Sequence, residues 1–403
     1  MSRNYDFIIV GAGSNGLTTA AYLASGGYSV AVLEQHDHIG GGCVSREVTL
    51  PGFKHDTHAT NIFLVKANPL VKNDELGLIS KFGLEYVKSE KAYHGSFFED
   101  GSVIEVYTDL EKTCESIAKI SEKDANAYRE FGKSASEYVD ILSWGMFAPP
   151  ANPDTFLEVL NQSEQGQFML ELMNRSAWDL IDSTFDDERV KTHLYRKTAE
   201  MMILPEKAGT AFAMFMIVGF SHRFTSGTVV GGSQGFTDAL ASCIEYHGGD
   251  IFTGKKITRL EKHDGSIRGV KTEDGETFTA NKAVVAAIPP WSLNKFVEGV
   301  DPKVIEEAEQ TPSSDFGIFL SSYALKKNMT LDYPQDKGYI QINQFCGGLV
   351  NDIRPAFKKV LDGGLPSGDD YFFGNGICAT ILEPCRAPNG QGTLYLYHMV
   401  PLK

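Results

Sequence analysis

Three glycines near the start of the chain have the spacing of a dinucleotide-binding turn. In the sequence FIIVGAGSNGL, Gly11, Gly13 and Gly16 follow the pattern G-x-G-x-x-G. They come after an apolar run typical of a buried parallel strand and before the small and apolar residues of a helix. The first glycine permits a tight turn, the second lets the backbone approach a pyrophosphate, and the third lets the helix pack closely on the strand. The helix N-terminus then faces the negative charge.

An acidic residue follows at the position that such a site requires. A second predicted strand, YSVAVLE, ends at Glu34. Its carboxylate can accept hydrogen bonds from ribose hydroxyls, and it disfavours a 2′-phosphate. A glycine-rich turn alone is a weak signal, because many such turns only reverse the chain. The strand, helix and acid together predict a dinucleotide site.

The elements that must position this turn are of α/β type, with a long helical stretch between them. Nucleotide-binding signals disappear after about residue 65 and return near Gly231, while the sequence from about 110 to 224 has mostly helical patterns. After Gly231 we predict a helix, two hairpins at HDGS and EDGE, and a buried strand in KAVVAAIPP. The sequence GTLYLYHMVPLK predicts a final strand. We assign 1–70 and 226–300 to a nucleotide-binding domain, and 71–225 and 301–403 to a substrate domain.

Composition excludes several classes of function. The chain has 37 basic and 52 acidic residues and a net charge of −15, which argues against binding to nucleic acid and to anionic membranes. The most apolar stretch, at 208–220, is too short for a membrane span. The six cysteines have neither metal nor disulfide spacing, so we expect reduced thiols, no metal site and a cytoplasmic protein. Motifs of zinc proteases, serine hydrolases and phosphate-binding lysine loops do not occur.

The chain resembles the carotenoid desaturase and isomerase branch of the FAD-dependent amine-oxidase superfamily. The likeness rests on VGAGSNGL, LEQHDHIGGGC, LPGFKHD, VVGGSQGFTDAL and AVVAAIPP. It implies an α/β fold with a Rossmann-like FAD-binding domain, a doubly wound sheet with interrupting insertions, and a mixed β-sheet substrate domain with a helical cap. It also implies FAD as the cofactor. The residues implied to bind FAD are Gly11, Gly13, Gly16, Glu34, Gly40, Gly41, Gly42, Gly232, Ile257 and Ala287.

Two features depart from the family pattern. Many amine oxidases have arginine after the glycine pair, and this chain has Gly42, which weakens the amine-oxidase interpretation. Family members continue with a further glycine-rich segment and helix that complete the FAD domain, and this sequence stops before them. We expect either a truncated sequence or a small second subunit that supplies the missing segment. We favour the heterodimer, because a half-open flavin site leaves buried backbone groups unpaired.

The chemistry implied by this resemblance is oxidation of an isoprenoid. An allylic C–H bond can give hydride to a flavin because the resulting cation is stabilised. We predict a dehydrogenase that acts on a small apolar terpenoid, with limonene as substrate, water as the source of oxygen and perillyl alcohol as product. The sequence does not indicate the electron acceptor. The alternatives are a carotenoid desaturase or isomerase, an amine oxidase, and a flavin-binding subunit without activity.

Two groups of residues are candidates for the substrate site. An apolar substrate requires an apolar pocket, although an apolar stretch is more often plain core. The aromatic candidates for its wall are Trp144, Trp178, Phe212, Phe215 and Phe220. Asp56 and His58, in a loop that the resemblance places near the flavin, are the first candidates for activating water or removing a proton, and His222 is the second. A loop histidine is usually only a hydrogen-bonded surface group.

Overall fold

A computed structural model describes residues 2–60, 63–87, 92–224, 228–311, 314–329, 342–365 and 373–402. The strands are β1 (Ser2–Val10), β2 (Val30–Leu33), β3 (Ser45–Glu47), β4 (Lys54–Asp56), β5 (His94–Phe98), β6 (Val103–Val106), β7 (Asp250–Phe252), β8 (Ile257–His263), β9 (Ser266–Thr272), β10 (Thr277–Ala286), β11 (Gly317–Leu325), β12 (Ile342–Cys346), β13 (Phe373–Ile377) and β14 (Gly392–Val400). The helices are α1 (Ser14–Ser25), α2 (Pro69–Lys72), α3 (Leu110–Ala118), α4 (Glu122–Glu137), α5 (Val139–Phe147), α6 (Pro153–Asn161), α7 (Glu164–Asn174), α8 (Ala177–Thr184), α9 (Glu188–Ala199), α10 (Thr210–Arg223), α11 (Gln234–Tyr246), α12 (Pro302–Glu309) and α13 (Val350–Leu361).

The first sheet carries the predicted nucleotide turn. Its order is β7-β2-β1-β10-β9-β8, and β1 lies parallel to both β2 and β10. Ile9 of β1 packs with α1 and α11 on one face, while Ile8 and Val10 pack with β8, β9 and β10 residues on the other. The strand is therefore buried on both faces, which explains its unbroken apolar sequence. The HDGS hairpin is present between β8 and β9, with Asp264 and Gly265 at positive φ.

The second sheet is mixed and combines distant parts of the chain. Its order is β11-β14-β13-β12-β5-β6, with β12 parallel to β5 and the other neighbours antiparallel. The predicted final strand is β14, which pairs with β11 and β13. Helices α3 to α10 fill the sequence between residues 110 and 223. This arrangement confirms the predicted fold class, including the helical cap.

The apolar stretch at 208–220 forms most of α10. Eleven of the fourteen residues of α10 are buried, because α4, α7, α8 and α9 pack around it. Within the described ranges, no helix combines the length and apolar character needed to cross a membrane. The predicted domain boundaries at 70 and 300 stay predictions, and the boundary at 225–226 lies outside the described residues.

Candidate functional site

The predicted dinucleotide turn lies at the carboxyl end of β1. Gly11 has a φ of +100°, and a Cβ there would lie 2.9 Å from the carbonyl oxygen of Ala287. A Cβ on Gly16 would lie 2.0 Å from the carbonyl oxygen of Gly11, so α1 approaches the turn only because that side chain is absent. At Gly13 the surroundings are open, since a Cβ would meet only the Cα of Gly41, at 3.9 Å. A phosphate group therefore has room to approach at Gly13.

The N-terminus of α1 faces the same turn. Its N-cap residue is Gly13, and no side chain caps the first turn of this helix in the described structure. The free N–H groups of a helix N-terminus attract an anionic group. Gly40 lies beside them, because its N–H donates to the carbonyl oxygen of Ala12 at 2.8 Å and its backbone forms a bridge with Gly13.

Glu34 lies beside the turn at the end of β2. Its carboxylate accepts hydrogen bonds from the N–H groups of Ala12 and His36, each at 2.9 Å. A carboxylate has about four acceptor positions, so capacity remains for ribose hydroxyls. Glu34 also lines a cleft of about 260 Å³ together with Gly11 and Ile257. The open glycine turn, the uncapped helix and this glutamate fit the diphosphate and ribose of FAD.

A second cavity, of about 240 Å³, lies between the helical region and the second sheet. Much of its wall is apolar, including Leu64, Met201, Ile217, Phe224, Ile318 and Ile377. Main-chain contacts join it to the segment 40–42 beside the dinucleotide turn, because the carbonyl oxygen of Gly42 accepts a hydrogen bond from the N–H of Ala59, at 3.1 Å, and Ala59 lines the cavity. From the other side, the hydroxyl of the cavity residue Tyr395 donates to the carbonyl oxygen of His58 at 2.6 Å. The loop at 57–60 therefore connects the candidate FAD site with the cavity.

One wall of this cavity carries an ion pair, Lys197 and Glu200, which we call the cavity pair. Lys197 lies in the last turn of α9, and its Nζ is 2.9 Å from Oε2 of Glu200. Burial by itself lowers the pKa of Lys197 and raises that of Glu200, but their mutual attraction reverses both effects. The net pKa of Lys197 is raised and that of Glu200 is lowered, so both are charged at neutral pH. The other carboxylate oxygen of Glu200 accepts a hydrogen bond from Asn375 Nδ2 at 2.8 Å.

Two buried histidines beside the cavity pair are neutral at neutral pH. His94 Nε2 lies 3.3 Å from Oε1 of Glu200. Burial, and then the positive charge of Lys197, lower the pKa of His94 to about 4. Burial and the neighbouring His94 hold the pKa of His193 well below its usual range. His193 Nδ1 is 2.8 Å from the hydroxyl of Ser96.

A second buried charge cluster, which we call the Asp56 cluster, consists of Asp56, Arg386 and Glu383. Arg386 Nη1 donates to Asp56 Oδ2 at 2.9 Å, and its Nε lies 2.9 Å from Glu383 Oε2 in an ion-pair contact. Burial lowers the pKa of Arg386, but the two carboxylates outweigh this and raise it, while burial raises the pKa of Glu383. Further donors to Asp56 are the hydroxyls of Ser45 and Thr60 and the N–H of Ser233.

The structure brings most of the predicted FAD residues together. Glycines 11, 13, 16, 40 and 41, Glu34, Ile257 and Ala287 surround the turn and its cleft. Gly42 begins the connection to the cavity through its carbonyl oxygen. Gly232 instead lies against the Asp56 cluster, where a Cβ would be 2.5 Å from Arg386 Nη2 and 2.6 Å from Asp56 Oδ1.

The three predicted catalytic residues do not line the cavity in the described part of the chain. Asp56 forms a buried ion pair with Arg386. His58 is exposed, with Nδ1 3.0 Å from Thr57 Oγ1, and only its carbonyl oxygen contacts a cavity residue. His222 Nε2 is 2.9 Å from the hydroxyl of Tyr128, and burial lowers the His222 pKa.

The predicted aromatic wall also needs correction, because none of its five residues lines the cavity among those described. Phe215 and Phe220 are buried in the helical core, and Phe212 packs against that core. Trp178 lies under the guanidinium of Arg354, 4.1 Å from its ring centroid. Trp144 is 73% exposed on α5. A helix that is apolar all round, such as α10, is enclosed by its neighbours, and its aromatic residues form ordinary core.

Sequence reasoning missed the cavity pair and the other two members of the Asp56 cluster, Arg386 and Glu383. The segment KTAE has the i, i+3 spacing of an ordinary exposed ion pair. In the fold, Glu200 contacts Asn375 and His94, which are distant in sequence. Arg386 lies 330 residues from Asp56, so local spacing carries no signal for that contact.

The mixed first sheet, its dinucleotide turn and the linked cavity fit a flavin-dependent oxidoreductase. A family model described as flavin containing amine oxidoreductase matches residues 16–319. The chain belongs to this family, and FAD is its cofactor. The predicted resemblance to the amine-oxidase superfamily is thereby confirmed.

The chain is also similar to individual curated proteins. It is 25% identical to a subunit of the limonene dehydrogenase of Castellaniella defragrans, over 96% of this chain and 71% of that protein. It is 26% identical to pyridine nucleotide-disulfide oxidoreductase domain-containing protein 2 of Mus musculus, over 98% of this chain and 74% of the relative. It is 23% identical to a 4,4'-diapophytoene desaturase of a Methylomonas species, over 100% and 74%. These relatives confirm the predicted likeness to the desaturase branch and to a limonene dehydrogenase subunit.

Solved structures share the fold at lower sequence identity. A triple mutant of putrescine oxidase has a TM-score of 0.61 and 14% identity, over 99% of this chain and 76% of that chain. The PF1083 protein of Pyrococcus furiosus has a TM-score of 0.59 and 16% identity, over 98% and 79%.

Proposed function

We propose that the protein is an FAD-dependent dehydrogenase that removes hydride from an allylic carbon of an isoprenoid hydrocarbon, with limonene as the substrate. The observation that carries this proposal is the apolar cavity and its main-chain connection, through Ala59 and Gly42, to the segment that bridges to the dinucleotide turn. FAD supplies a hydride acceptor when it is bound. The similarity to the limonene dehydrogenase of Castellaniella defragrans supports the choice of substrate.

The chain's own residues bind and orient such a substrate. Apolar side chains such as Ile217, Ile318 and Ile377 contribute affinity by removing hydrocarbon surface from water. Phe224 and Tyr395 add aromatic faces, which attract positive charge that develops on an allylic carbon. In this proposal, the hydride passes to FAD, water adds to that carbon and releases a proton to solvent, and the product is an allylic alcohol, perillyl alcohol from limonene.

The size of the cavity supports a monoterpene over a long carotenoid. Pockets for drug-sized ligands are roughly 300–1,000 Å³, so the cavity of about 240 Å³ suits a compact molecule. A carotenoid desaturase is the second candidate, and the 4,4'-diapophytoene desaturase among the relatives favours it.

We further propose that the protein works as one subunit of a heterodimer with a small second subunit. The limonene dehydrogenase relative is itself named as a subunit, which supports this. Copurification of a small neighbouring-gene product with this chain would test it. A stable FAD complex of this chain that reacts fully without any partner would contradict it.

The test of the reaction is an anaerobic visible spectrum of the FAD-loaded protein, alone and with the small partner, before and after limonene is added. We expect limonene to bleach the oxidised flavin band. p-Menthane, the saturated analogue, has no allylic C–H and should leave the band unchanged. Bleaching by both compounds, or by neither in either preparation, would contradict the proposed reaction.

A variant of the cavity sharpens this test. Ile377→Trp fills the cavity, so limonene should no longer bleach the flavin while FAD remains bound. Ile79→Trp makes the same substitution at a site that is 47% exposed, and its bleaching should match the parent protein. If Ile377→Trp reacts at the parental rate, limonene is oxidised at another place.

A further inference from the structure

The cavity pair is an unusual feature in a cavity with so much apolar wall. Taking two charges out of water costs several kcal/mol per ion, and apolar residues of similar size often serve stability equally well. Lys197 has three N–H donors, and the described structure gives a hydrogen-bond partner to one of them, Glu200 Oε2. The Glu200 side chain is 16% exposed although it lies inside the protein. Both residues line the cavity, so donor and acceptor groups are available to a ligand there.

The charges around this pair favour a neutral ligand. Among the described residues that line the cavity, the charges of Lys197 and Glu200 cancel, whereas Arg196 is buried outside the cavity wall and donates to the carbonyl oxygen of Phe345. His94 and His193 are neutral because burial lowers the pKa of each. An ammonium or carboxylate ligand would bring one uncompensated charge into the cavity, which is costly. A neutral oxygen brings none.

A hydroxyl group fits the pair better than a carbonyl group. Lysine only donates hydrogen bonds, and an ionised glutamate only accepts them. A hydroxyl can accept from Lys197 and donate to Glu200 at once. A carbonyl oxygen can use Lys197 alone, and a hydrocarbon can use neither.

We propose that Lys197 and Glu200 bind the hydroxyl group of an isoprenoid alcohol whose hydrocarbon part occupies the apolar side of the cavity. This inference rests on the proposed function, and it makes the cavity selective for the oxygenated terpenoid. Tyr93 supports the assignment as a further polar residue of the same wall. Its buried hydroxyl makes no hydrogen bond of good geometry among the described residues, and burial raises the pKa of Tyr93, so the hydroxyl is neutral and can donate.

The experiment compares three ligands of the same skeleton on the FAD-loaded protein by isothermal titration calorimetry. They are limonene, perillyl aldehyde and perillyl alcohol. We expect the alcohol to bind about tenfold more tightly than limonene, which corresponds to roughly 1.4 kcal/mol, with the aldehyde between them. Equal affinities for alcohol and hydrocarbon, or no binding of the alcohol, would overturn the proposal.

The decisive variant replaces both members of the pair, because a single replacement leaves one buried charge alone. In Lys197→Met with Glu200→Gln, the preference for the alcohol should fall to about twofold or less, while limonene binds as tightly as before. The matched control is Lys191→Met with Glu188→Gln, since those residues form an i, i+3 pair on the same helix and do not line the cavity. The control should retain the full preference. Retention of that preference by the Lys197 and Glu200 variant would overturn the proposal.

Failure of this inference and failure of the proposed reaction are distinguishable. The calorimetric preference measures recognition of the hydroxyl group, whereas flavin bleaching by limonene measures hydride removal. Bleaching without an alcohol preference would leave the reaction standing and reject the cavity pair as a hydroxyl site. An alcohol preference without bleaching would leave the hydroxyl site standing and direct the search to another reaction.

Discussion

The two buried charge clusters of this protein differ in what surrounds them. In the Asp56 cluster, Arg386 and Asp56 are each only 1% exposed, and hydrogen bonds from several segments occupy the Asp56 carboxylate. The cavity pair is also internal, but 16% of the Glu200 side chain remains exposed and Lys197 has donor capacity left. The first cluster is closed by protein groups, and the second opens on a cavity.

This difference separates a structural role from a binding role. The Asp56 cluster joins β4, the segment 231–233 and the segment 383–386. It therefore holds the start of the loop that connects the candidate FAD site with the cavity. Substitutions in the Asp56 cluster should therefore lower the free energy of unfolding. The cavity pair should influence stability less and ligand preference more.

The largest expected effect on stability comes from a substitution in the Asp56 cluster. Arg386→Met leaves two buried carboxylates without their cation, so we expect the free energy of unfolding to fall by about 4 kcal/mol. Urea denaturation measures this loss. Arg259→Met is the control, because Arg259 is 63% exposed and should change stability by less than about 0.5 kcal/mol. A similarly small effect of Arg386→Met would show that the cluster is not a stabilising centre.

For the cavity pair, we expect a smaller loss that a second substitution restores. Lys197→Met should lower the free energy of unfolding by about 3 kcal/mol, because Glu200 keeps Asn375 as a donor and faces the cavity. Adding Glu200→Gln removes the lone charge, and the double variant should lie within about 1 kcal/mol of the parent. Urea denaturation of all three proteins provides the comparison. A double variant less stable than Lys197→Met would contradict this account.

Two adjacent glycines allow a test of how tightly the Asp56 cluster is packed. Gly231 and Gly232 both have positive φ, so alanine strains the backbone at each. A Cβ at Gly231 meets nothing within 4 Å, whereas at Gly232 it would lie 2.1 Å from Ser45 Oγ. Gly232→Ala should therefore be less stable than Gly231→Ala by about 2 to 3 kcal/mol in thermal or urea unfolding. Equal losses of stability would show that the side chains of the Asp56 cluster move to accommodate the added methyl group.

The smallest expected effect is a pH dependence of stability that arises from His94, next to the cavity pair. The His94 pKa is lowered to about 4 in the folded protein and is 6.5 when unperturbed, so the unfolded state binds more protons between these values. Stability then falls as pH falls through this range. Between pH 7 and pH 5, His94 should account for about 2 kcal/mol of that loss, and His94→Gln should remove this share. Urea denaturation at both pH values measures it, and an unchanged pH dependence would show that His94 is not neutral in the fold.

Local sequence was sufficient to predict the backbone geometry of the candidate FAD site. Gly11, Gly13, Gly16 and Glu34 lie on one strand-helix-strand unit, where spacing along the chain fixes spacing in the fold. Positive φ and close backbone contacts at these glycines are properties of a short segment. The strands and the hairpin of the first sheet were predictable for the same reason.

The cavity proposed to bind the substrate was not predictable in this way. Its cavity walls come from the loop near residue 60, from α9 and α10, and from strands of the second sheet. Apolar density favoured α10 as the wall, but the same density leads to enclosure of Phe215 and Phe220 on all sides. The charged residues of KTAE look like surface residues until the second sheet covers them. Only the tertiary arrangement distinguishes an enclosed core helix from a cavity wall, and a buried ion pair from an exposed one.

The parallel pairing of β5 with β12 has a consequence for synthesis of the protein. Ser96 and Gln344 bond across this pairing and are 248 residues apart. At roughly 5 to 20 residues per second, the ribosome needs on the order of 10 to 50 seconds to make the intervening chain. During that time the edge of β5 that faces away from β6 has no strand partner, and Ser96 lacks its contact with Gln344. The cavity can therefore form only late in translation, and until then the nascent chain exposes an open strand edge that is prone to aggregation.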